Sequence, residues 1–198
     1  MFLDDPPSSE GAAAAYDSDR ESDGYVGNVT RLWCWRPDIL FAFTDLRAQL
    51  GSKCSLTPRE QAVIVTATVA AMGDSYCALA WGSRLANLAG DETAAGVIAG
   101  EQPDELSQRE AALAEWCRTV VADPTATTGD QVDALRSAGL DDREIFEATL
   151  LLGLRLAFST VNDALGALPD RQLADEAPAP VREAVSFGRP ASDTPSLA

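Results

Sequence analysis

One helix-start pattern occurs three times along the chain. A residue that can cap a helix is followed three positions later by glutamate at Thr57, Ser107 and Asp141, and a leucine precedes each of the three. In this arrangement the capping side chain accepts a hydrogen bond from the backbone N–H of the glutamate, and the glutamate carboxylate accepts one from the N–H of the capping residue. The segments that follow do not match one another, so the pattern predicts three separate helices and not an internal repeat.

Glycines between these starts predict where several helices end. Expected helices are followed by Gly51, Gly73, Gly90 and Gly139, and glycine is common just after the last turn of a helix. No stretch alternates for long between apolar and polar residues, so no sheet is expected. The predicted fold class is all-α, with helices at 37–50, 58–72, 75–88, 91–98, 108–121, 129–138 and 142–165.

Three segments differ in how their apolar residues are arranged. Segments 62–72 and 145–161 are apolar on nearly every side, which is typical of helices that are buried centrally or covered by another subunit. Segment 108–121 has one apolar stripe instead. We expect that stripe to lie on the core, with Arg109, Glu110 and Arg118 facing out.

The two ends of the chain differ in composition from the middle. Residues 1–24 carry many carboxylates among Ser, Pro, Gly and Ala, and we expect a disordered or loosely docked acidic arm there. Residues 169–198 are rich in proline, and we expect a tail that wraps the surface or stays mobile. One helical domain is therefore expected over residues 25–168.

Composition excludes several classes of function. The 198-residue chain has no histidine, so Ser-His-Asp triads, Cys-His pairs and histidine metal sites are excluded. Its formal net charge of −16 disfavours nucleic acid and membrane surfaces as partners, since both are negatively charged. The chain does not start like a secretory signal peptide, and no apolar run is long enough for a membrane span. Its four cysteines lack zinc spacing, so we expect free thiols, no metal, no cofactor and a cytoplasmic location.

Cys77 lies in the first turn of an expected helix that Asp74 can cap. Backbone N–H groups and the helix dipole favour a thiolate at such a position, whereas the nearby carboxylate disfavours it. The alternative for Cys77 is an inert cysteine kept for packing. In the same way, Asp74 can be a helix cap only, and Trp81 can be a core aromatic.

The chain around Cys77 resembles the alkylhydroperoxidase-D and carboxymuconolactone decarboxylase superfamily. The resemblance covers about residues 25–168, and it rests on the stretches GYVGNVTRLWCWRPDI, LTPREQAVIVTATVAA, DSYC, LSQREAALAEWCRTVVADP and VDALRSAGLDDREIFEATLLLGLRLAFSTVNDALGA. It implies the all-α fold of that superfamily, packing of the same helices into homo-oligomers, and a peroxidase-related site.

Redox-active members of this superfamily carry a glutamate on one helix, and a Cys-x-x-Cys pair followed by a histidine on the next. The resemblance places the glutamate at Ala62, the first cysteine at Asp74, the peroxide-attacking cysteine at Cys77 and the histidine at Trp81. Only the attacking cysteine is retained, so the proton relay and the local resolving thiol are both missing. A disulfide-cycling peroxidase is therefore not expected, unless one of the other cysteines resolves from a distance.

Three hypotheses for function follow. In the first, the protein is an enzyme with altered chemistry, in which Cys77 is a single reactive thiol and Asp74 handles protons. Its implied substrates are hydroperoxides or small cyclic acids. In the second, catalysis is lost and a largely apolar pocket binds a small molecule. In the third, the protein is a structural or partner-binding homo-oligomer, a dimer, trimer or hexamer. We favour the first, an incomplete peroxidase centre, and assign catalysis to Cys77 and Asp74 and substrate binding to Trp81, Tyr76 and Ala62.

Overall fold

The computed structural model of the protein describes residues 1–196, and within that range it contains helices and no strand. The all-α class predicted from the sequence is confirmed. Eleven helices lie in the described range: α1 (Glu10–Asp23), α2 (Asn28–Trp33), α3 (Pro37–Lys53), α4 (Pro58–Met72), α5 (Ser75–Ala89), α6 (Asp91–Ile98), α7 (Gln108–Ala122), α8 (Gly129–Ser137), α9 (Asp142–Ala164), α10 (Arg171–Glu176) and α11 (Ala179–Ala184).

Helix α4 forms the centre of the fold. Its residues 62–69 are all buried, and it packs against α5, α6, α7 and α9. Val63, Ile64 and Val65 are completely shielded from solvent. Burying one such side chain contributes roughly 1.5–3 kcal/mol to folding. The central burial expected for segment 62–72 therefore holds over most of its length.

The predicted helix starts are confirmed as capping boxes. Thr57, Ser107 and Asp141 each accept a hydrogen bond from the N–H of the glutamate three positions on, and each glutamate carboxylate accepts one in return. A further box, formed by Thr128 and Gln131, starts α8. The pattern of a cap followed by glutamate does not include this box, because glutamine stands in the place of the glutamate.

Arginines join three of these helix starts. Arg109 on α7 donates to Glu60 on α4 at 2.8 Å and to Glu144 on α9 at 2.8 Å. Arg59 donates to Glu110 at 2.7 Å. We call these five side chains the cap network. The expectation that Glu110 faces out is wrong, because its carboxylate both caps α7 and binds Arg59, which keeps the residue buried.

Helix α9 is buried on one side only. Ile145 and Leu152 belong to the main core, whereas Phe146, Leu150 and Val161 are exposed, Phe146 by 65%. The exposed residues recur at helical spacing, so they follow one stripe of the helix surface. Segment 145–161 is therefore not buried on every side within the described chain.

Helix boundaries agree with the prediction to within one residue except in α3. That helix continues through Gly51 and ends at Lys53. A glycine inside a helix costs only about 1 kcal/mol relative to alanine, so glycine does not have to end one. Gly73, in contrast, adopts a φ of 79° and does end α4. Helix α2 was not predicted, because its six residues carry too few apolar positions to show a period.

Both ends of the chain form helices that were not predicted from the sequence. In α1, Ser9 caps the helix and the side chains of Ala12 and Ala15 are buried. In α11, Val181 is completely buried in the main core. The signals were missed because alanine-rich and six-residue helices carry little periodicity. In the described chain, no helix is both long and apolar enough to cross a membrane.

Candidate functional site

A tight turn between α4 and α5 positions Asp74 and Cys77. Asp74 caps α5, because its Oδ1 accepts a hydrogen bond from the backbone N–H of Cys77 at 2.9 Å. The residue is completely buried, and its Oδ2 has no hydrogen-bond partner within residues 1–196. Asp74 is thus a helix cap that also brings an unsatisfied carboxylate oxygen into the interior, which is costly.

The thiol of Cys77 is shielded from solvent. Cys77 is 3% exposed and packs in a small apolar cluster with Val65, Val69 and Phe158. Burial raises the pKa of this thiol to about 12; the charge of Asp74 adds to the rise and that of Arg155 opposes it. With a pKa raised this far, the thiol is protonated at neutral pH. In this conformation Cys77 is a neutral thiol and not an activated nucleophile.

Arg155 of α9 contacts the thiol. Its Nη1 lies 3.5 Å from Sγ of Cys77, and its guanidinium lies over the rings of Trp81 and Phe158, 5.2 Å and 5.3 Å from their centroids. The residue is only 5% exposed. Arg155 was missed in the sequence, although it is the one charged residue between positions 148 and 162 of an otherwise apolar segment.

A cavity of about 360 Å³ opens beside Trp81. Its walls come from α3, the start of α4, α5 and α9, and Arg155 forms part of them. Cys77 does not line this cavity, but Arg155 contacts both the cavity and the thiol. Trp81 therefore forms part of the wall of an open cavity.

Two more arginines line the same cavity, Arg47 from α3 and Arg84 from α5. Arg84 lies over Trp81 at 4.9 Å from the ring centroid, and Arg47 lies over Phe158 at 5.1 Å. Burial, together with the positive charge of Arg155, lowers the pKa of Arg47 to about 10. We call this space, defined by its three arginines and Trp81, the arginine cavity. Neither Arg47 nor Arg84 was identified from the sequence, where arginines on separate helices show no common pattern.

Aromatic rings pack behind the cavity. Trp33, Phe43 and Phe158 lie with ring centroids 5.1 to 6.0 Å apart. The indole N–H of Trp33 donates to Oδ1 of Asn162 at 2.8 Å, which gives that buried amide one of the partners it needs. Trp33 therefore packs the interior and fixes Asn162.

The other two expected binding residues lie away from the arginine cavity. Tyr76 directs its hydroxyl to Asp170, and burial together with that carboxylate raises the tyrosine pKa well above its usual value. Ala62 is completely buried in the main core. Neither residue is among those that line the cavity. Glu60 is occupied too, because it completes its capping box and pairs with Arg109.

The remaining cysteines lie in other parts of the interior. Cys34 packs with the buried alanines of α1, and Cys117 belongs to the main core. Cys54 is half-buried and donates to Glu147 at 3.5 Å. All four cysteines are free thiols in this structure, and Cys77 shares its apolar cluster with none of the others. The arrangement gives no resolving partner for Cys77 within the described chain.

The C-terminal segment covers the start of α5. Ser75 donates through Oγ to the backbone oxygen of Arg189 at 2.7 Å and accepts from its N–H at 3.0 Å. Val185 and Phe187 pack against the cluster that contains Cys77. This segment therefore contributes to the burial that keeps the thiol protonated, and its contact with α5 was not predicted.

Solved structures share this fold. No family model and no curated protein sequence matches the chain. An uncharacterized peroxidase-related protein from Silicibacter sp. TM1040 superposes with a TM-score of 0.78 at 20% identity, covering 87% of this chain and 93% of its own. Another from Ralstonia eutropha JMP134, an alkylhydroperoxidase AhpD core, gives 0.74 at 22% identity with the same coverages.

A third likeness is to the debrominase Bmp8, in a cysteine-to-alanine variant that holds 2,3,4-tribromopyrrole. Its TM-score is 0.70 at 13% identity, covering 93% of this chain and 96% of the other. At these identities the likenesses show the fold alone. The chain thus has the alkylhydroperoxidase-D-like fold that was expected from the sequence.

Proposed function

We propose that this protein is a small-molecule-binding member of the alkylhydroperoxidase-D-like superfamily, and that its ligand occupies the arginine cavity. The observation that carries the proposal is the open cavity of about 360 Å³ against Trp81. This volume lies in the range of pockets that take small ligands. The lining combines apolar side chains, among them Trp81, Leu151 and Leu154, with a similar number of polar ones. The apolar part can hold a ligand, and the polar groups can orient it.

The state of Cys77 supports binding over peroxidase cycling. The thiol is buried and protonated, and Asp74 occupies the position of the first cysteine in the superfamily's redox motif. Peroxide reduction through a disulfide needs a thiolate and a second thiol within bonding reach. The arrangement of the described residues supplies neither. We therefore place the hypothesis of lost catalysis ahead of the single-thiol enzyme favoured from the sequence.

A fragment screen tests the binding proposal. The purified protein is mixed with small aromatic compounds, both neutral and charged, and its thermal midpoint and tryptophan fluorescence are recorded. Several compounds should raise the midpoint of the wild type and should lose that effect in Trp81→Ala. Trp35→Ala is the matched control, since Trp35 is exposed on the surface and lines no part of the cavity. A screen in which no compound distinguishes Trp81→Ala from the control would contradict the proposal.

Single-thiol chemistry at Cys77 is a second candidate, favoured by the Arg155 guanidinium 3.5 Å from the sulfur. A cation at that distance stabilises a thiolate whenever solvent reaches the site. The test is the rate of iodoacetamide alkylation between pH 6 and pH 11, compared between the wild type and Cys77→Ser. Alkylation at position 77 faster than that of a free thiol at pH 7 would establish a reactive cysteine. Turnover of an organic hydroperoxide with a dithiol reductant, lost in Cys77→Ser, would establish a peroxidase.

We also propose that the protein is a homo-oligomer located in the cytoplasm. The exposed stripe of α9 supports assembly, because Phe146, Leu150 and Val161 would cost less free energy against a second copy than in water. Size-exclusion chromatography with light scattering gives the mass. The variant Phe146→Glu should lower that mass, whereas Arg136→Glu on α8 should not. A monomeric wild type would contradict this part of the proposal.

A further inference from the structure

The charges around the arginine cavity are unbalanced. Its lining contains Arg47, Arg84 and Arg155 and no aspartate or glutamate, although the chain carries 31 acidic residues against 15 basic ones. In a protein with this excess of carboxylates, arginines normally find acidic partners. A cavity that collects three arginines and excludes carboxylates from its walls is therefore a local reversal of the overall charge.

These three arginines also differ from the others in what they bind. Elsewhere in residues 1–196, every arginine side chain donates to a carboxylate or to a backbone carbonyl. Backbone carbonyls accept from Arg182 and Arg189. The arginines that pair with carboxylates are Arg20, Arg31, Arg36, Arg59, Arg109, Arg118, Arg136, Arg143 and Arg171. Within the same residues, Arg47 and Arg84 donate to no oxygen, and Arg155 donates only to the sulfur of Cys77. Most N–H donors of the cavity arginines therefore have no acceptor within residues 1–196.

Aromatic rings lie against these guanidinium groups, whose central carbons are 4.9 to 5.9 Å from the ring centroids. Arg84 and Arg155 both lie over Trp81, and Arg47 lies over Phe43 and Phe158. A guanidinium that stacks on a ring through its flat face keeps its N–H donors in the plane at the edge. Those donors can pair in parallel with the two oxygens of a carboxylate. The rings therefore hold the arginines in position but do not provide acceptors for their N–H donors.

This arrangement costs free energy. Arg155 is 5% exposed and its Nε has no hydrogen-bond partner in the described chain. The lowered pKa of Arg47 reflects the same cost, since burial and the charge of Arg155 disfavour its protonated form. A bound anion would offset the repulsion between these cations and satisfy the open donors.

We propose that the arginine cavity binds a small organic carboxylate with a flat, unsaturated body. Its carboxylate pairs with the guanidinium groups of Arg47, Arg84 and Arg155, and its flat body lies against Trp81. The apolar part of the wall, with Leu151 and Leu154, favours an organic anion over a small inorganic one. This inference rests on the proposed small-molecule function and names the chemical class of its ligand.

Isothermal titration calorimetry at pH 7.5 and low salt, with the full chain, tests the inference. The probes are benzoate, its neutral analogue benzamide, and inorganic phosphate. We expect benzoate to bind with a dissociation constant at or below the millimolar range, and benzamide and phosphate to bind at least about tenfold more weakly. Arg84→Gln should weaken benzoate binding about tenfold to a hundredfold. Arg136→Gln, which removes an arginine on the exposed surface of α8, should leave it unchanged.

The possible outcomes distinguish failure of this inference from failure of the small-molecule-binding proposal on which it rests. Benzamide that binds as tightly as benzoate, in a manner dependent on Trp81, would overturn the anionic ligand and leave small-molecule binding in place. Phosphate that binds as tightly as benzoate would also overturn the inference, because the flat body would then add nothing. Unchanged benzoate affinity in both Arg84→Gln and Arg47→Gln would show that the anion binds at another place, and this would overturn the inference. If none of the three compounds binds and the fragment screen is also negative, both proposals are contradicted.

Discussion

The cap network and the arginine cavity use the same side chain in opposite ways. In the cap network, Arg109 lies between two glutamates that cap neighbouring helices, and each donor group meets an acceptor. In the arginine cavity, three arginines meet aromatic rings and no carboxylate in the described chain. Arginines paired within the protein stabilise its fold, whereas arginines left unpaired at a cavity cost stability and are available to a ligand. The two regions should therefore respond differently to the same kind of substitution.

The largest effect is expected from Arg109→Met in the cap network. This variant leaves the carboxylates of Glu60 and Glu144 without their arginine, and the side chains of these glutamates are only 8% and 15% exposed. Loss of one partner from such a pair should reduce the free energy of unfolding by about 2–4 kcal/mol. Urea denaturation followed by circular dichroism measures it. Arg136→Met is the control, since Arg136 forms exposed pairs worth about 1 kcal/mol or less. Equal losses of unfolding free energy in the two variants would mean that the cap network stabilises the fold no more than an exposed ion pair does.

The next effect comes from pH: acid should weaken the cap network, and alkali should weaken the surroundings of Cys77, which Arg155 links to the arginine cavity. The hydrogen bond from Arg109 lowers the pKa of Glu144; for Glu60, hydrogen bonds from Arg109 and Thr57 outweigh the rise caused by burial. Lowered carboxylate pKa values contribute stability that is present above the unfolded value and is lost as the pH falls below it. Acid should therefore weaken the cap network. In Arg109→Met, the free energy of unfolding should fall less steeply below about pH 4.5 than in the wild type.

Alkali should weaken the region around Cys77. Burial raises the pKa of the Cys77 thiol to about 12, and a raised pKa contributes stability that is present below the unfolded value and is lost as the pH rises towards the folded one. Between about pH 8.5 and pH 12, this thiol should cost roughly 1.4 kcal/mol per pH unit. Cys77→Ala should make the loss of stability with rising pH shallower by about that amount in urea titrations at pH 9, 10 and 11. Identical slopes in the wild type and the variant would show that the thiol is less buried than described.

A smaller loss of stability than that of Arg109→Met, or a gain, is expected from Arg155→Met in the arginine cavity. The variant removes a buried charge that has no carboxylate partner and replaces it with an apolar chain of similar length. Its lost contacts with Trp81 and Phe158 offset part of the gain. Stability should therefore change by no more than about 1 kcal/mol or should increase. The same variant should slow alkylation of Cys77 at pH 9, since the cation that favours the thiolate is gone. A loss of unfolding free energy comparable to that of Arg109→Met would show that the arginine cavity stabilises the fold as the cap network does, and this would contradict the comparison.

The smallest effect on stability should come from Arg84→Gln. Arg84 is exposed and forms no ion pair within residues 1–196, so its loss should change the free energy of unfolding by less than about 0.5 kcal/mol. Benzoate affinity should nevertheless fall. A variant that leaves the fold intact while it weakens the ligand would be the sharpest evidence that the cavity arginines serve binding.

Local signals explain which features could be predicted. Capping boxes at Thr57, Ser107 and Asp141, and the turn after Gly73, depend on residues a few positions apart, so each could be identified in the sequence and each is confirmed. The start of α5, with Asp74 as its cap and Cys77 in its first turn, follows from the same local chemistry. The exposure and charge state of Cys77 could not be predicted, because they depend on Phe158 and on the C-terminal segment that cover it.

The sequence by itself determined the seven helices α3 to α9, the capping residues of most of them and the absence of imidazole chemistry, because hydrogen bonding at helix ends and residue identity are properties of the local chain. Only the tertiary structure decided that Arg109 joins two helix starts while Arg47, Arg84 and Arg155 meet at one cavity. Whether an arginine finds a carboxylate depends on which helices become neighbours. That choice is made by the packing of α5 and α9 against the buried α4 and of α3 against α9. It leaves the three cavity arginines beside aromatic rings, with donors open to a ligand.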